Sequence, residues 1–446
     1  MDFDAFYPSG WGIVGRQPDS EYLYYSKYTT GSSYLGTPTV NPSNIRLADL
    51  KWEQKETWNL GFDFGFFDGL IDGDLSIYTQ KTTDLLMKNR VIPSSSGYYT
   101  LTWQNVGAMR NNGWEFNING HRIVKAGKFN MDFNITFANN RNEIIEMDPE
   151  VLSSLNADFN FANGSYLSRV QLNNPLGSIY GFRYKGVYRF SDYADAVERL
   201  GVNSPELNDL NIAPVVRNAN GEIVLNSAGN PKKMYFDYAG TGYEFVGGDA
   251  IYEDVNHDGQ INELDIVYLG SSLPKLTGGF GVKFNYGGWQ LNMQFNYRYG
   301  NKVINAARMN IENMATNSNM SRAVNWRWHN EGDIAQIPRA ASTNGQITEG
   351  RIQAMTHNYL GSDRFVEDAS FLRLNYTQLS YTFDSKLLKQ WGLSALRLNL
   401  TVNNVFCITR YSGADPEVAQ SGYYAASDNS RTPRGKSFTI GANISF

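Results

Sequence analysis

One stretch of the sequence has residue types and spacing suited to binding a metal ion. Asp254–Asp265 reads D-V-N-H-D-G-Q-I-N-E-L-D, with side-chain oxygen donors at positions 1, 3, 5, 9 and 12 and glycine at position 6. Ca²⁺ takes about six to eight oxygen ligands from loops of this design, in which position 7 supplies a backbone carbonyl. The expected ligands are Asp254, Asn256, Asp258, the carbonyl of Gln260, Asn262 and Asp265. We expect a structural Ca²⁺ site; the open alternative is a turn that binds no metal.

The other reactive side chains form no enzyme motif. The four histidines lie in unrelated contexts, without zinc-site spacing: His121, His257, His329 and His357. No G-x-S-x-G motif and no phosphate-binding loop occurs. Cys407 is the only cysteine, which excludes an intrachain disulfide and a cysteine-based zinc site. The sequence therefore predicts a protein that is not an enzyme.

Two tryptophans leave a choice open. Trp326 and Trp328 lie in a long polar stretch, where they could stack on a sugar or a peptide. The alternative is that they pack within a loop or lie at a membrane interface. No ligand-binding residue is therefore assigned from the sequence.

Composition restricts the class of protein. Aromatic residues make up 14% and charged residues 19% of the 446 residues, a mixture that favours strands and turns over helices. No apolar run approaches the roughly 18 residues of a membrane-spanning helix. The net charge of −5, without a cluster of Lys and Arg, argues against binding nucleic acid.

The elements predicted around these residues are long strands. Ser437–Phe446 alternates strictly, with apolar side chains at even positions and small or polar ones at odd positions. Lys51–Phe66, Lys128–Arg141 and Trp289–Gly300 continue this pattern well beyond the about 5–6 residues of an ordinary strand. One apolar face and one polar face suit a wall between lipid and an aqueous lumen. The predicted fold class is all-β, an antiparallel transmembrane β-barrel.

The pattern predicts roughly ten such strands, with short turns on one rim and long loops on the other, as in outer-membrane barrels. Residues 1–50 are expected to be a loop-rich lead-in with at most one strand, near Tyr22–Tyr28. Residues 51–446 are expected to be the barrel portion. Its long extracellular loops are expected at about 191–273, 301–369 and 408–436.

Two further strand predictions concern detail. Ser178–Phe190 has the composition of another strand. Ser370–Asp384 changes the parity of its apolar residues, which predicts one extra residue, a β-bulge, near Thr377–Gln378.

Several segments occur in a distinctive order: L-K-W-E-Q-K-E-T-W-N-L-G-F-D-F-G-F-F-D-G-L-I (50–71), Y-T-Q-K-T-T-D-L-L (78–86), N-V-G-A-M-R-N-N-G-W-E-F (105–116), G-F-R-Y-K-G-V-Y (181–188), G-D-A-I-Y-E-D-V-N-H-D-G-Q-I-N-E-L-D (248–265), L-G-S-S-L-P-K-L-T-G-G-F (269–280), F-L-R-L (371–374), L-S-Y-T-F (379–383), N-N-V-F (403–406) and Y-S-G-A-D-P-E-V (411–418). In combination, these segments resemble SusC/RagA-type TonB-dependent outer-membrane transporters of Bacteroidetes. The resemblance covers about residues 40–446 and corresponds to the C-terminal barrel portion only.

This resemblance implies a fold and partners. Such barrels have about 22 strands around an N-terminal plug, and here the plug, the remaining barrel strands and the part that contacts TonB are expected outside this sequence. A SusD-type surface lipoprotein would cover the long loops as a lid. Oligosaccharides or peptides would cross the cell outer membrane with energy from TonB. Phe446 would be the terminal aromatic residue that serves as the membrane assembly signal. The first residues lack the features of a signal peptide, so an export signal is expected upstream.

Two alternatives stay open. The chain could form a passive outer-membrane porin of about ten strands. It could also be a calcium-binding, secreted adhesion module on a β-scaffold, similar to dockerin-type loops in its metal site. Solubility without detergent would favour the second alternative.

Overall fold

A computed structural model gives the fold of most of the chain. The described residues are 3–18, 22–23, 25–91, 95, 98, 100–156, 166, 170–236, 243–314, 318–340, 347–348, 351–352, 356–384, 388–390, 392–420 and 424–446. Parts of the three predicted long loops lie outside these residues.

One antiparallel sheet, the wall, dominates the fold. Its eleven strands, β1 to β11 in chain order, are Phe3–Phe6, Ser9–Arg16, Glu53–Phe66, Ile71–Thr83, Gly107–Ala126, Phe129–Met147, Leu276–Tyr286, Trp289–Tyr299, Phe371–Thr382, Ala395–Thr409 and Ser437–Ser445. The spatial order is β1-β3-β4-β5-β6-β7-β8-β9-β10-β11, and β2 also pairs with β3. The antiparallel all-β prediction is confirmed. The sheet order ends at β11 on one side and at β1 and β2 on the other, so the wall is open.

The wall has an apolar outer face and a polar inner face. Phe62, Leu75, Phe116 and Phe137 are cross-strand partners on four successive strands of the outer face. Leu60 on the same face is 57% exposed. A continuous apolar face with this exposure suits contact with lipid rather than with water.

The connections differ between the two ends of the wall. The short-turn rim carries the connections 67–70, 127–128, 287–288 and 383–394. The long-loop rim carries 17–52, 84–106, 148–275, 300–370 and 410–436. The predicted turn at Asp68-Gly69 has positive φ at both residues, 54° and 78°, which explains the choice of glycine there. The predicted asymmetry of the rims is therefore present.

A β-bulge interrupts β9, two residues before the predicted place. The register shifts between Leu374 and Tyr376, which makes Asn375 the extra residue. Tyr376 consequently lies on the inner face, where Asn292 Nδ2 donates a hydrogen bond to its hydroxyl oxygen at 3.2 Å. The sequence pattern misplaced the bulge because it assigned this aromatic residue to the outer face.

The lead-in differs from the expectation of at most one strand. Residues 3–44 contain β1, β2 and a hairpin of Lys27–Tyr34 with Thr37–Asn44. Tyr24, in the strand expected at Tyr22–Tyr28, lies outside the described residues. Pro8, which has no N–H, separates β1 from β2, and its carbonyl accepts the amide of Gly61 at 2.6 Å. This break divides one long strand into two pieces too short to be recognised by alternation.

The long loops form a packed unit above the wall. We call the described residues of 170–275, 300–370 and 410–436 the loop domain. Its largest core cluster consists of buried residues from the first two loops: Tyr180, Phe182, Tyr188, Val216, Met234, Phe236, Tyr243, Phe245, Ala250, Ile251, Tyr252, Ile261, Ile266 and Leu360. The main core of the described protein therefore lies in its loops and not in the wall.

Ser178–Phe190 belongs to this core and not to the wall. It forms Ser178–Gly181 and Tyr184–Val187, which pair with Val267–Ser271 and Ala250–Tyr252. Every residue from 178 to 182 is buried, so the segment has no face available for lipid. A wall strand was expected here, and this expectation is corrected.

Short elements complete the described structure. The α-helices α1, α2 and α3 are Pro149–Asn156, Tyr193–Leu200 and Ala306–Glu312. The 3₁₀ turns are Pro205–Asn208, Glu263–Asp265, Arg322–Trp326, Thr356–Tyr359 and Asp363–Phe365. The other short strands are Leu86–Val91, Thr100–Asn105, Tyr235–Phe236, Tyr243–Glu244, Gln260–Ile261, Lys302–Ile304, Ile347–Thr348, Arg351–Ile352 and Val366–Asp368. In the described part of the chain, no helix has the length and apolar character needed to cross a bilayer.

Candidate functional site

The inner face of the wall carries a ladder of hydrogen-bonded polar side chains. Asn117 Nδ2 donates to Asp74 Oδ2, and Asn119 Nδ2 donates to Asp72 Oδ2, each at 2.9 Å. A second part of the ladder joins residues of β6, β7, β8 and β10: Asn130, Asn285, Gln290 and Arg397. Such a surface favours contact with water or polar solutes over contact with lipid.

A groove lies along this inner face near the short-turn rim. Its volume is about 870 Å³, and its lining includes His121, Asp132, Lys283, Asn292 and Tyr376. Basic, acidic and neutral amide side chains all contribute to the lining. This lining offers hydrogen-bond donors and acceptors to a polar ligand.

The centre of the loop domain is a buried charge, Asp249. Arg339 Nε donates to its Oδ1 at 2.8 Å, and the hydroxyl of Tyr243 donates to its Oδ2 at 2.7 Å. His357 Nε2 lies 3.3 Å from Oδ1, and the Asn358 side chain donates to the same oxygen at 3.3 Å. Burial by itself raises the pKa of Asp249, but the contacts with His357 and Arg339 outweigh it and hold this pKa far below its usual value.

These contacts join two different loops. Asp249 belongs to the connection 148–275, whereas Arg339 and His357 belong to the connection 300–370. The rings of Tyr243 and His357 stack with centroids 4.2 Å apart. Sequence reasoning treated His357 as an isolated histidine and did not identify Asp249 or Arg339. No local motif links them, because the three residues meet only in the folded chain.

A second ionic cluster ties the third loop to the wall. Arg373 in β9 is 3% exposed. Its Nη1 donates to Asn404 Oδ1 and its Nη2 donates to Asp415 Oδ1, each at 2.6 Å. Its Nε lies 3.1 Å from Glu417 Oε2, which also lies 2.7 Å from Arg434 Nη1. The segment around Asp415 is thereby held against the inner side of the wall.

The first half of the calcium-like loop forms a tight turn around Asp254. The amide of Asp258 donates to Asp254 Oδ1 at 3.2 Å, and the amide of Gly259 donates to Oδ2 at 2.8 Å. His257 and Gly259 have φ of 57° and 86°. Glycine at position 6 therefore has the conformational role that the spacing predicted. His257 occupies position 4, which was predicted to supply no ligand.

The second half closes on Asp265. The amide of Val255 donates to Asp265 Oδ1 at 2.8 Å, and the amide of Asn262 donates to Oδ2 at 2.9 Å. Asp265 is fully buried. Its burial raises the pKa of this carboxyl to about 6, and the carboxylates of Asp254 and Asp258 add to the effect.

The loop thus brings the predicted donors into one turn without a preformed cluster of charged ligands. Gln260 lies in the short strand Gln260–Ile261, and Asn262 caps the following 3₁₀ turn. Within the residues that the structure describes, no group of three or more His, Cys, Asp or Glu side chains has an arrangement suited to a metal ion. The three carboxylates would have to move closer together around a bound cation.

The two tryptophans have different surroundings. The Trp328 indole Nε1 donates to the carbonyl of Arg189 at 3.2 Å, and its ring covers Gly248. Trp326 is 72% exposed at the end of a 3₁₀ turn. Loop packing therefore accounts for Trp328 but not for Trp326.

Comparisons with known proteins place this geometry in a family context. Residues 9–212 match the family model described as TonB dependent receptor-like, beta-barrel. The chain is 27% identical over 445 residues to TonB-dependent receptor P39 of Formosa agariphila, covering 98% of the chain and 40% of that relative. It is 28% identical over 450 residues to TonB-dependent receptor SusC of Bacteroides thetaiotaomicron, covering 98% of the chain and 37% of SusC. The chain spans about two fifths of the length of these curated relatives.

A solved structure agrees in fold. The structure of the RagAB peptide transporter superposes with a TM-score of 0.69 at 20% identity, covering 99% of this chain and 41% of that one. At this identity the match supports the fold alone. The expectation that the chain is not an enzyme agrees with relatives that are named as receptors. The predicted barrel class is confirmed. The predicted outer-membrane location is confirmed by the similarity to TonB-dependent receptors. The predicted resemblance to SusC/RagA-type TonB-dependent transporters is likewise confirmed: along 98% of its length the chain is similar to part of TonB-dependent receptors, and residues 9–212 match their barrel model.

Proposed function

We propose that the chain forms part of the wall and outer-surface loops of an importer that takes up oligosaccharides or peptides with energy from TonB. The observation that carries the proposal is a wall with an apolar outer face and a hydrogen-bonded polar inner face. The outer face suits lipid, and the inner face suits a path for polar solutes. Similarity to TonB-dependent receptors along 98% of the chain supports the same function.

The proposed partners follow from the relatives. A SusD-type surface lipoprotein would lie over the loop domain, in keeping with the similarity to SusC and to the RagAB transporter. The contact with TonB, the plug and the remaining wall strands belong to the parts of such transporters outside the matched two fifths. RagAB is described as a peptide transporter, which supports peptides as one substrate class to test.

Uptake measurements test the proposal. Cells that carry the full-length protein should import labelled peptides or oligosaccharides, and import should stop when either this gene or TonB is removed. Uptake that continues without TonB would instead support the passive porin. Recovery of the full-length protein in the soluble fraction without detergent would support the secreted adhesion module.

We also propose that Asp254–Asp265 binds Ca²⁺ as a structural ion. The support is the set of oxygen donors on one turn, in which backbone amides bind the carboxylates of Asp254 and Asp265, and the burial of Asp265. At a free Ca²⁺ concentration about 100 times the Kd, binding adds about 2.7 kcal/mol to local stability. We expect atomic emission to detect calcium in the purified full-length protein, and EDTA to accelerate proteolysis of the loop domain. Added Ca²⁺ should reverse the effect.

A paired comparison controls for charge. Asp258→Asn should weaken the EDTA effect, because it replaces a predicted anionic ligand with a neutral amide oxygen that binds Ca²⁺ less strongly. Glu222→Gln removes the same charge from another turn of the same loop, where Asn218 donates to that carboxylate at 2.9 Å, and should leave the effect intact. A protein without bound calcium whose proteolysis is indifferent to EDTA would contradict the proposal.

Phe446 is proposed as the membrane assembly signal. Its side chain is 92% exposed at the short-turn rim, and its carbonyl accepts a hydrogen bond from the Ser394 hydroxyl at 3.3 Å. Deletion of Phe446 from the full-length protein should reduce the assembled, heat-modifiable form in outer membranes severalfold. Phe446→Tyr, which keeps the aromatic ring, should retain it. Normal surface levels after the deletion would refute this role.

A further inference from the structure

We propose that the outer face of the wall contains a specific site for the phosphate headgroup of an anionic lipid, next to the long-loop rim. The site combines two groups of residues on the strands β2 to β6. The charged row consists of cross-strand partners on four successive strands: Glu56, Lys81, Arg110 and Glu143. The tryptophan cluster consists of Trp11, Trp58 and Trp114, nearer the middle of the wall.

The level of the charged row matches a headgroup region. Trp58 and Phe66 are eight residues apart on β3, roughly 27 Å along the strand or about 20 Å in height at a tilt of about 40°, which is close to an apolar band about 25 Å tall. The outward positions of β3, β4 and β5 within this interval are uncharged: Leu60, Phe62, Phe64, Gly73, Leu75, Ile77, Phe116 and Ile118. Glu56 and its partners come one outward position beyond Trp58. The first charged outward positions on these strands therefore lie at the expected level of the lipid headgroups.

The charged row, taken with Arg141, contains more cations than anions. Arg110 Nη1 lies 3.4 Å from Glu143 Oε1, and Arg141 Nη2 lies 3.6 Å from Oε2 of the same carboxylate. Two guanidinium groups thus share one carboxylate, and the Arg141 side chain is 75% exposed. Among the charged row and Arg141, three cations accompany two anions, a net charge of +1; the exposed Glu146 lies one outward position farther from the apolar band.

The second anion of the site, Glu56, already accepts hydrogen bonds from two neutral side chains. Trp11 Nε1 and Trp58 Nε1 both donate to Glu56 Oε1, at 3.0 and 3.1 Å. These bonds fix both indoles with their polar edges towards the rim and their rings towards the apolar band. Their orientation is typical of interfacial tryptophans.

A groove connects the apolar and cationic parts. Its volume is about 780 Å³, and its lining includes Trp11, Trp58, Trp114, Ile77 and Arg141. Apolar surface predominates in this lining, with the Arg141 guanidinium at its charged side. A phosphate-bearing amphiphile satisfies both parts, since its headgroup meets the cations and its chains meet the tryptophan cluster. The apolar lining therefore favours lipid over free phosphate.

Native mass spectrometry of the full-length protein tests the site. The protein, in neutral detergent, is exposed to dioleoylphosphatidylglycerol or dioleoylphosphatidylcholine, and retained lipid is counted. We expect the natural protein to prefer the anionic lipid. Arg110→Gln with Arg141→Gln should weaken that preference by about fivefold for each cation removed. Heat-modifiable mobility checks assembly, and the single variant Arg141→Gln, at an exposed position, serves if the pair fails to assemble.

The control removes two cations elsewhere. Lys125→Gln with Lys128→Gln lies at the short-turn rim and should keep the preference, because both side chains are distant from the charged row along the strands. Equal losses in the two double variants would overturn a specific site, as would an unchanged preference after loss of Arg110 and Arg141. Inorganic phosphate should fail to displace the lipid; full displacement would overturn a lipid as the occupant.

Discussion

An Asp249→Asn variant should lose the protease resistance of the loop domain while its wall stays assembled. Removing one partner of a buried ion pair costs about 3–5 kcal/mol, because the remaining charge is left without compensation. Here the uncompensated charge is Arg339, whose Nε lies 2.8 Å from the carboxylate. The Asn amide also directs N–H groups at a site now surrounded by donors. We expect limited proteolysis of the full-length protein in membranes to cut the loops at least roughly a hundredfold faster.

Two variants test the cause. Asp209→Asn removes an exposed carboxylate from the same loop and should behave as the natural protein. Adding Arg339→Met to Asp249→Asn should recover part of the resistance, because it removes the orphaned charge. Unchanged proteolysis in Asp249→Asn, with the heat-modifiable form intact, would show that the ionic centre does not hold the two loops together.

Arg373→Met should release the third loop from the wall. The substitution keeps an unbranched chain but removes a nearly buried guanidinium that contacts Asn404, Asp415 and Glu417. Arg434 still neutralises part of the negative charge, so we expect a loss of about 3 kcal/mol, at the lower end for a broken buried pair. Hydrogen exchange in the segment 411–418 should accelerate by about two orders of magnitude.

Conservative and neighbouring substitutions make this test specific. Arg373→Lys retains the charge but cannot reproduce three directed contacts, so it should give an intermediate rate. Arg410→Met removes an exposed cation just beyond β10 and should have little effect. If Arg373→Met and Arg410→Met exchange at the same rate, the cluster does not anchor the loop.

The wall could be predicted from sequence because period-2 alternation is a local property. In Ser437–Phe446 and Trp289–Gly300, the alternation of neighbouring residues shows which side chains belong to each face. The strands β11 and β8 form at these segments. Local reasoning failed at Tyr376, since an aromatic residue suits either face until its partner Asn292 is known. It also missed the division of β1 from β2 at Pro8, where each fragment is short.

The candidate sites also differ in whether neighbouring residues in the sequence specify them. The turn within Asp254–Asp265 was predictable because positive φ at Gly259 is required by the spacing of that one segment; binding of calcium to it stays a prediction. Asp249, Arg339 and His357 were not predictable as a group. They come from separate loops, and nothing in the residues around each one specifies the others.

The joining of distant loop segments has a consequence for the order of folding. Wall hairpins such as β3–β4 and β7–β8 close over a few residues, so each forms early as a unit of low contact order. In the loop domain, by contrast, the Phe182 amide donates to the carbonyl of Gly361 at 2.9 Å, and the strands β7 and β8 lie between these two residues in the chain. Closing so long a chain segment costs conformational entropy before any contact is gained, and this cost slows folding. The loop domain is therefore the last part to reach its native form. The time at which the loop domain becomes protease-resistant will report its folding rather than insertion of the wall into the membrane.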